Sequence, residues 1–153
     1  RFLLRVRLGY PESADEIAVM DSQQRVHPLE GLGQVIAAAE LLEAQAAIRN
    51  IYVDILVKSY IVEVVGRTRK HADIYLGASP RGSLTLFRAA QARAALEGRD
   101  YAIPDDIKAL APFALAHRMI VSPSARIKDV DAEQIIKEIL NAVPVPGGSV
   151  KPN

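Results

Sequence analysis

The run Leu76-Gly77-Ala78-Ser79-Pro80-Arg81-Gly82-Ser83 is where residue type and spacing could do chemistry. Gly77 and Gly82 stand five apart, after a short apolar stretch and before a helical one, in the frame of a phosphate-cradling loop. The next positions refuse that chemistry. Such a loop needs a lysine to reach the terminal phosphates and a hydroxyl to hold magnesium, and Ser83 and Leu84 stand there instead. Pro80 also removes one backbone N–H that would face a phosphate. Arg81 is the stronger candidate. It falls in or just before the first turn of a helix, where a cation opposes the macrodipole by about 0.3–1 kcal/mol and an anionic partner reverses the sign. Guanidinium and backbone N–H groups would then point together at a polyphosphate and stabilise charge on a transferring phosphoryl group. The plainer alternative is an arginine that reaches into solvent.

The other candidates are thinner. His27, His71 and His117 lie in different segments with no i, i+4 partner, so no metal site is expected. There is no Gly-x-Ser-x-Gly elbow. The row Arg88, Arg93, Arg99, Lys108 and Arg118 is interleaved with Glu97, Asp100, Asp105 and Asp106, and reads as a solvated mixed face. Arg1 beside Phe2 is unremarkable on position alone.

These residues must be positioned by a chain of 153 residues, enough for one domain with its own core. Lys plus Arg number 19 against 18 Asp plus Glu, a formal charge of +1 that argues against a dedicated nucleic-acid binder. With no cysteine, disulfide frameworks, thiol nucleophiles and cysteine-ligated metals are excluded. No apolar stretch approaches the roughly 20 residues of a membrane span. The chain opens at Arg1 without a methionine and runs straight into Phe2-Leu3-Leu4, which reads as a cut from a longer polypeptide.

The elements follow from periodicity. Leu4, Val6 and Leu8 alternate with Leu3, Arg5 and Arg7, predicting a strand over 2–8 that Gly9-Tyr10-Pro11 ends. Ser13 with Glu16 predicts a capping box and a short helix to about Met20. Residues 21–36 read mostly as loop. A helix over 38–49 should present Leu41, Leu42, Gln45 and Ile48, and Asp54 should cap another, running to about Lys70 with Leu56, Tyr60, Val64 and Val65 inward. Residues 72–76 read as a short β-like piece. The next helix begins at the Ser79-Pro80 run, turns Leu84, Phe87, Ala90 and Ala94 to one face and ends at Gly98. Pro104 with Asp105 and Asp106 starts a fourth helix, which Pro112 should kink or split near Ala111. Asp131 should cap a last helix on Ile135, Ile136, Ile139 and Leu140. The tail 144–153 should be disordered.

The run 76–83, followed by Ala92-Arg93-Ala94-Ala95-Leu96-Glu97-Gly98-Arg99-Asp100-Tyr101 and Pro104-Asp105-Asp106-Ile107-Lys108-Ala109-Leu110-Ala111-Pro112, strongly resembles the C-terminal part of MoxR-type AAA+ ATPases. Leu115-Ala116-His117-Arg118 and the start Arg1-Phe2-Leu3-Leu4-Arg5 fit the same family, so the resemblance covers essentially residues 1–146. It implies a mainly α fold: a helical-bundle lid (37–143) after a last strand of the α/β core (1–10), joined by a short helix and loop (11–36). It also implies that Arg81 is the second-sensor arginine, touching ATP from the lid together with Gly77, Ser79 and Pro80. Arg1 would be an arginine finger on the neighbouring subunit. The implied partners are the protein's own N-terminal core, the neighbours in a homo-oligomeric, hexameric ring, and von Willebrand A-domain proteins. ATP and Mg2+ would belong to the full-length, cytoplasmic, chaperone-like enzyme. The segment itself, lacking Walker A and Walker B, would be inactive alone. The rival readings are a non-enzymatic helical adaptor and, against the flat charge balance, a helix-turn-helix regulator.

Overall fold

The structure, a computed structural model, describes residues 2–147. These divide into two compact units: residues 6–45, and residues 2–5 with 46–147. The expected disorder of the tail falls largely on 148–153, outside the described residues.

The smaller unit holds α1 (Ser13–Gln23), a 3-10 turn (Pro28–Gly31) and most of α2 (Ala38–Ile48). Its start corrects the expected capping box. Ser13 is already helical, Glu12 takes the N-cap position without a side-chain cap bond, and the Glu16 N–H donates to the Glu12 carbonyl. Asp15 and Glu16 in the first turn favour the positive helix end instead. The expected inward face of α2 is not formed. Leu41 and Leu42 are exposed, Gln45 likewise, Ile48 is half-buried, and no α2 residue is buried. Ala, Leu, Glu and Gln sustain this helix by propensity, and two 11-residue helices bring too little apolar surface to enclose a side chain.

The larger unit is a helical bundle with one small sheet: α3 (Ile55–Thr68), β1 (Ile74–Leu76), α4 (Pro80–Leu96), α5 (Pro104–Leu115), a 3-10 turn (Ala116–Arg118), β2 (Ile120–Val121), α6 (Pro123–Ile127) and α7 (Ala132–Ala142). Strands β1 and β2 are antiparallel, with Ile74 opposite Val121 and Leu76 opposite Ile120. Local signals set the helix ends. The Asp54 carboxylate accepts from the Leu56 N–H at 2.8 Å. Asp131 and Gln134 form a reciprocal capping box at 2.8 and 3.0 Å. Gly98 takes φ +70 at the end of α4, so that its N–H reaches the Ala95 carbonyl and the Arg99 N–H reaches that of Ala94.

The core lies among α3, α4, α5 and α7, with Ile61, Val64, Val65, Leu86, Ile107, Leu115, Ile135 and Ile136 fully or almost fully buried. Burying each such aliphatic side chain stabilises by about 1.5–3 kcal/mol. On α7 the expected stripe is the buried one, with Leu140 half-buried. Two other faces hold in all but one position each. Tyr60, Val64 and Val65 are buried as expected, but Leu56 is exposed while Val57 and Ile61 turn inward; Ala90 and Ala94 are buried and Phe87 half-buried as expected, but Leu84 is exposed while Leu86 is buried. Pro112 does not split α5, which runs on to Leu115. The helix loses only the bond that Pro112 would donate to Lys108, and the Ala116 N–H still reaches the Pro112 carbonyl. The expected strand over 2–8 is absent from the structure. A strand needs a ladder, and here the segment bonds to the helical body instead: the Arg5 N–H donates to the Phe113 carbonyl at 2.9 Å, and the Phe2 carbonyl accepts from Arg118.

Candidate functional site

Arg81 sits in the first turn of α4, and three contacts fix the backbone that leads to it. The Thr68 hydroxyl, fully buried at the end of α3, accepts from the Ala78 N–H at 3.0 Å and donates to the Val65 carbonyl at 2.7 Å. The Arg69 Nε donates to the Ala78 carbonyl at 2.8 Å. Gly77 lies so close to the end of α3 that an added Cβ would stand 2.6 Å from both the Arg69 Cα and the Thr68 carbonyl oxygen. Only glycine allows that approach. On the far side, a Cβ on Gly82 would meet the Leu115 side chain at 3.1 Å, so α4 also packs tightly where it begins. Thr68 and Arg69 escaped the sequence reading. Their signal is their place in the last turn of a helix shortly before a glycine-bounded run, which becomes informative only once the turn between them is closed.

These bonds also explain why the Gly77–Gly82 frame is no phosphate cradle. The Ala78 N–H is held by Thr68, and the Gly82 N–H donates to the Ser79 carbonyl at 2.7 Å. Pro80 has none. The Ser79 hydroxyl makes no cap bond, and no acid lies in the first turn of α4.

Arg81 is exposed and lines a cleft of about 670 Å³ with Leu3, Leu84, Thr85, Arg88 and Arg118. Three arginines therefore line one cleft with no acidic residue in its lining. No ion pair of Arg81 or Arg88 occurs among the described residues. Arg118 is half-buried and donates only to carbonyls: its Nε to Ala114 at 2.9 Å and its Nη2 to Phe2. Concentrated positive charge with neutral neighbours fits a multivalent oxyanion, because charge-assisted bonds to phosphate are roughly twice as strong as neutral ones.

The basic row of the sequence thus splits. Arg88 and Arg118 join Arg81, whereas Arg93 and Arg99 converge on the buried Asp106. Arg99 grips Asp106 with two bonds of 2.7 and 3.0 Å, Arg93 Nε lies 3.3 Å away, and the Ile103 N–H donates to the same carboxylate at 2.9 Å. Burial pushes the Asp106 carboxyl up, but the Arg99 bonds, the Ile103 N–H and the two nearby charges outweigh it and hold the group below the usual carboxylate range. Lys108 pairs with Asp105 at 3.4 Å. Arg1 lies outside the described residues, and His27, His71 and His117 form no metal cluster among the described residues. No helix among the described residues is long and apolar enough to cross a membrane.

Comparisons with known proteins converge on one family. Residues 66–139 match the AAA lid domain family. The chain is 48% identical over 146 residues to the uncharacterized protein YeaC of Bacillus subtilis, covering 95% of this chain and 46% of that protein. It is 32% identical over 169 aligned positions to the chaperone MoxR1 of Mycobacterium tuberculosis, covering 99% of this chain and 44% of that one. A crystal structure from Cytophaga hutchinsonii, assigned as an ATPase, superposes with a TM-score of 0.88 at 29% identity over 95% of this chain and 47% of its own. The chain thus spans about half the length of the relatives it matches. The matched span 66–139 contains the Thr68–Ala78 clasp, Arg81, Arg88 and Arg118: the chain carries an AAA lid domain and is similar to the lid-bearing part of the MoxR proteins.

Proposed function

We propose that this chain is the nucleotide-contacting lid of an ATP-driven, chaperone-like machine of the cytoplasm that remodels or matures protein complexes. The observation that carries the reading is the acid-free cleft of Arg81, Arg88 and Arg118 at the start of α4. An adaptor without a nucleotide would leave three arginines along one cleft with no acid in its lining to neutralise them.

In this reading Arg81 reaches toward the terminal phosphates of ATP held with Mg2+ by the N-terminal core, and Gly77, Ser79 and Pro80 set its position. Bound there, ATP supplies a transferable phosphoryl group whose developing negative charge a guanidinium can stabilise. Arg81 has a partner before hydrolysis and loses it when phosphate departs, so the preferred angle of the lid changes. The size of that change is bounded by the difference in contact energy between the two states. Arg1 would serve as a finger toward the neighbouring subunit of a hexameric ring, and proteins with von Willebrand A domains are candidate partners.

A phosphate-release assay comparing the 153-residue chain with the full-length ATPase tests the reading. Turnover is expected only from the full-length protein. Turnover by the chain alone, or none by the full-length protein, contradicts it.

A further inference from the structure

Arg118 stands between two parts of the larger unit. The residue lines the arginine cleft, and its guanidinium holds the chain's first described residues: Nη2 donates to the Phe2 carbonyl while Nε is pinned on the Ala114 carbonyl at 2.9 Å. His117 Nε2 lies 3.4 Å from the same Phe2 oxygen. The segment beyond is docked alongside. Leu3 lines the cleft, Leu4 packs against the core, and the Arg5 N–H donates to the Phe113 carbonyl at 2.9 Å. Among the described residues the Arg118 Nη1 has no acceptor.

We infer that Arg118 is a positioning residue that makes the docking of residues 2–5 depend on whether the arginine cleft holds an anion. The inference rests on reading that cleft as a phosphate site. A guanidinium is planar, so fixing one edge fixes the other. With the cleft empty, the plane is held by two neutral carbonyls and competes with water. With a phosphate oxygen on Nη1, a charge-assisted bond is added on the opposite edge, the plane is immobilised, and the donor to Phe2 is preorganised. The ligand binds the docked form better than the released one, and this differential affinity is what shifts a population. By linkage, a docked segment strengthens phosphate binding by the same factor.

Hydrogen exchange at single-amide resolution in the full-length ATPase, with and without a saturating non-hydrolysable ATP analogue, tests this. The Arg5 amide is the reporter, because its bond to Phe113 exists only while the segment is docked. The analogue should slow exchange over residues 77–84 and slow the Arg5 amide by about fivefold, the gain expected from one charge-assisted bond over a neutral one. In Arg118→Gln the response over 77–84 should persist and that of Arg5 should vanish. Arg118→Lys keeps the charge but cannot hold two edges, and should likewise lose the Arg5 response while keeping that over 77–84, so the test stands even where the glutamine variant folds poorly. A purely structural Arg118 would lower Arg5 protection in the variants yet leave the wild-type Arg5 amide indifferent to nucleotide. That indifference, or an Arg5 response surviving in both variants, overturns the coupling and leaves the nucleotide-lid reading standing. No response over residues 77–84 in the wild-type protein overturns both.

Discussion

Helix α4 carries arginines of two kinds. Near its end, Arg93 turns with Arg99 onto Asp106, a carboxylate 1% exposed that also receives the Ile103 N–H at the start of α5. In its first half, Arg81 and Arg88 share a cleft with Arg118 and no acid. The same residue type thus serves two purposes, decided by whether an aspartate lies within reach. Where it does, charge is closed within the fold and joins two helices. Where it does not, charge is left facing a cleft, which costs self-repulsion and gains nothing for stability unless something anionic arrives.

The sharpest break in this comparison comes at the closed group. Asp106→Ala should destabilise the chain by about 3 kcal/mol in denaturant melts, the low end for a broken buried pair, since both arginines are partly solvated and can rehydrate. The acid response carries a definite sign. Because the folded Asp106 carboxyl lies below its ordinary value, its contribution is complete above the unfolded carboxylate range and is lost as pH falls toward the folded value. Asp106→Ala should therefore lose less stability than wild type between about pH 5 and pH 2.

The clasp that aims the open group comes next. Gly77→Ala should cost about 1–3 kcal/mol, because backbone on both sides of the contact must move. Thr68→Val should cost a similar 1–3 kcal/mol by leaving the buried Ala78 N–H without its acceptor. In the full-length protein both variants should also lower hydrolysis, because they displace the start of α4; unchanged turnover in either would show that the clasp does not aim Arg81. The smallest stability effect belongs to the open group itself: Arg88→Ala should move the melting free energy by no more than about 0.5 kcal/mol. A large destabilisation there would mean that the cleft arginines are structural after all.

Much of this arrangement is legible in the chain. Asp54 and Asp131 read as caps because an aspartate ahead of an apolar-periodic run has N–H groups to bind, and Gly98 reads as a helix stop because φ +70 suits no other residue type as well. Arg81 stands out because a cation at a helix start needs a reason. What is not legible depends on distant partners. Leu84 and Leu86 are equally apolar, and only the packing of α4 against α3 and α5 decides that Leu86 is inside. Leu41 and Leu42 carry a helical stripe that nothing in their own unit covers. The alternation over 2–8 is a strand pattern without a ladder, so the segment takes carbonyl and side-chain partners instead. The basic row looks uniform in sequence because spacing alone cannot say which arginine meets Asp106.

The central claim is that the open cleft exists for a nucleotide and not for the fold, and Arg81→Ala in the full-length protein tests it most directly when melting and phosphate release are measured on the same preparation. The account predicts a melting point within about 2 °C of wild type and hydrolysis reduced about 100-fold or more, the usual loss when a donor to a developing phosphoryl charge is removed. Wild-type turnover in a folded Arg81→Ala protein would contradict it and return Arg81 to the solvent.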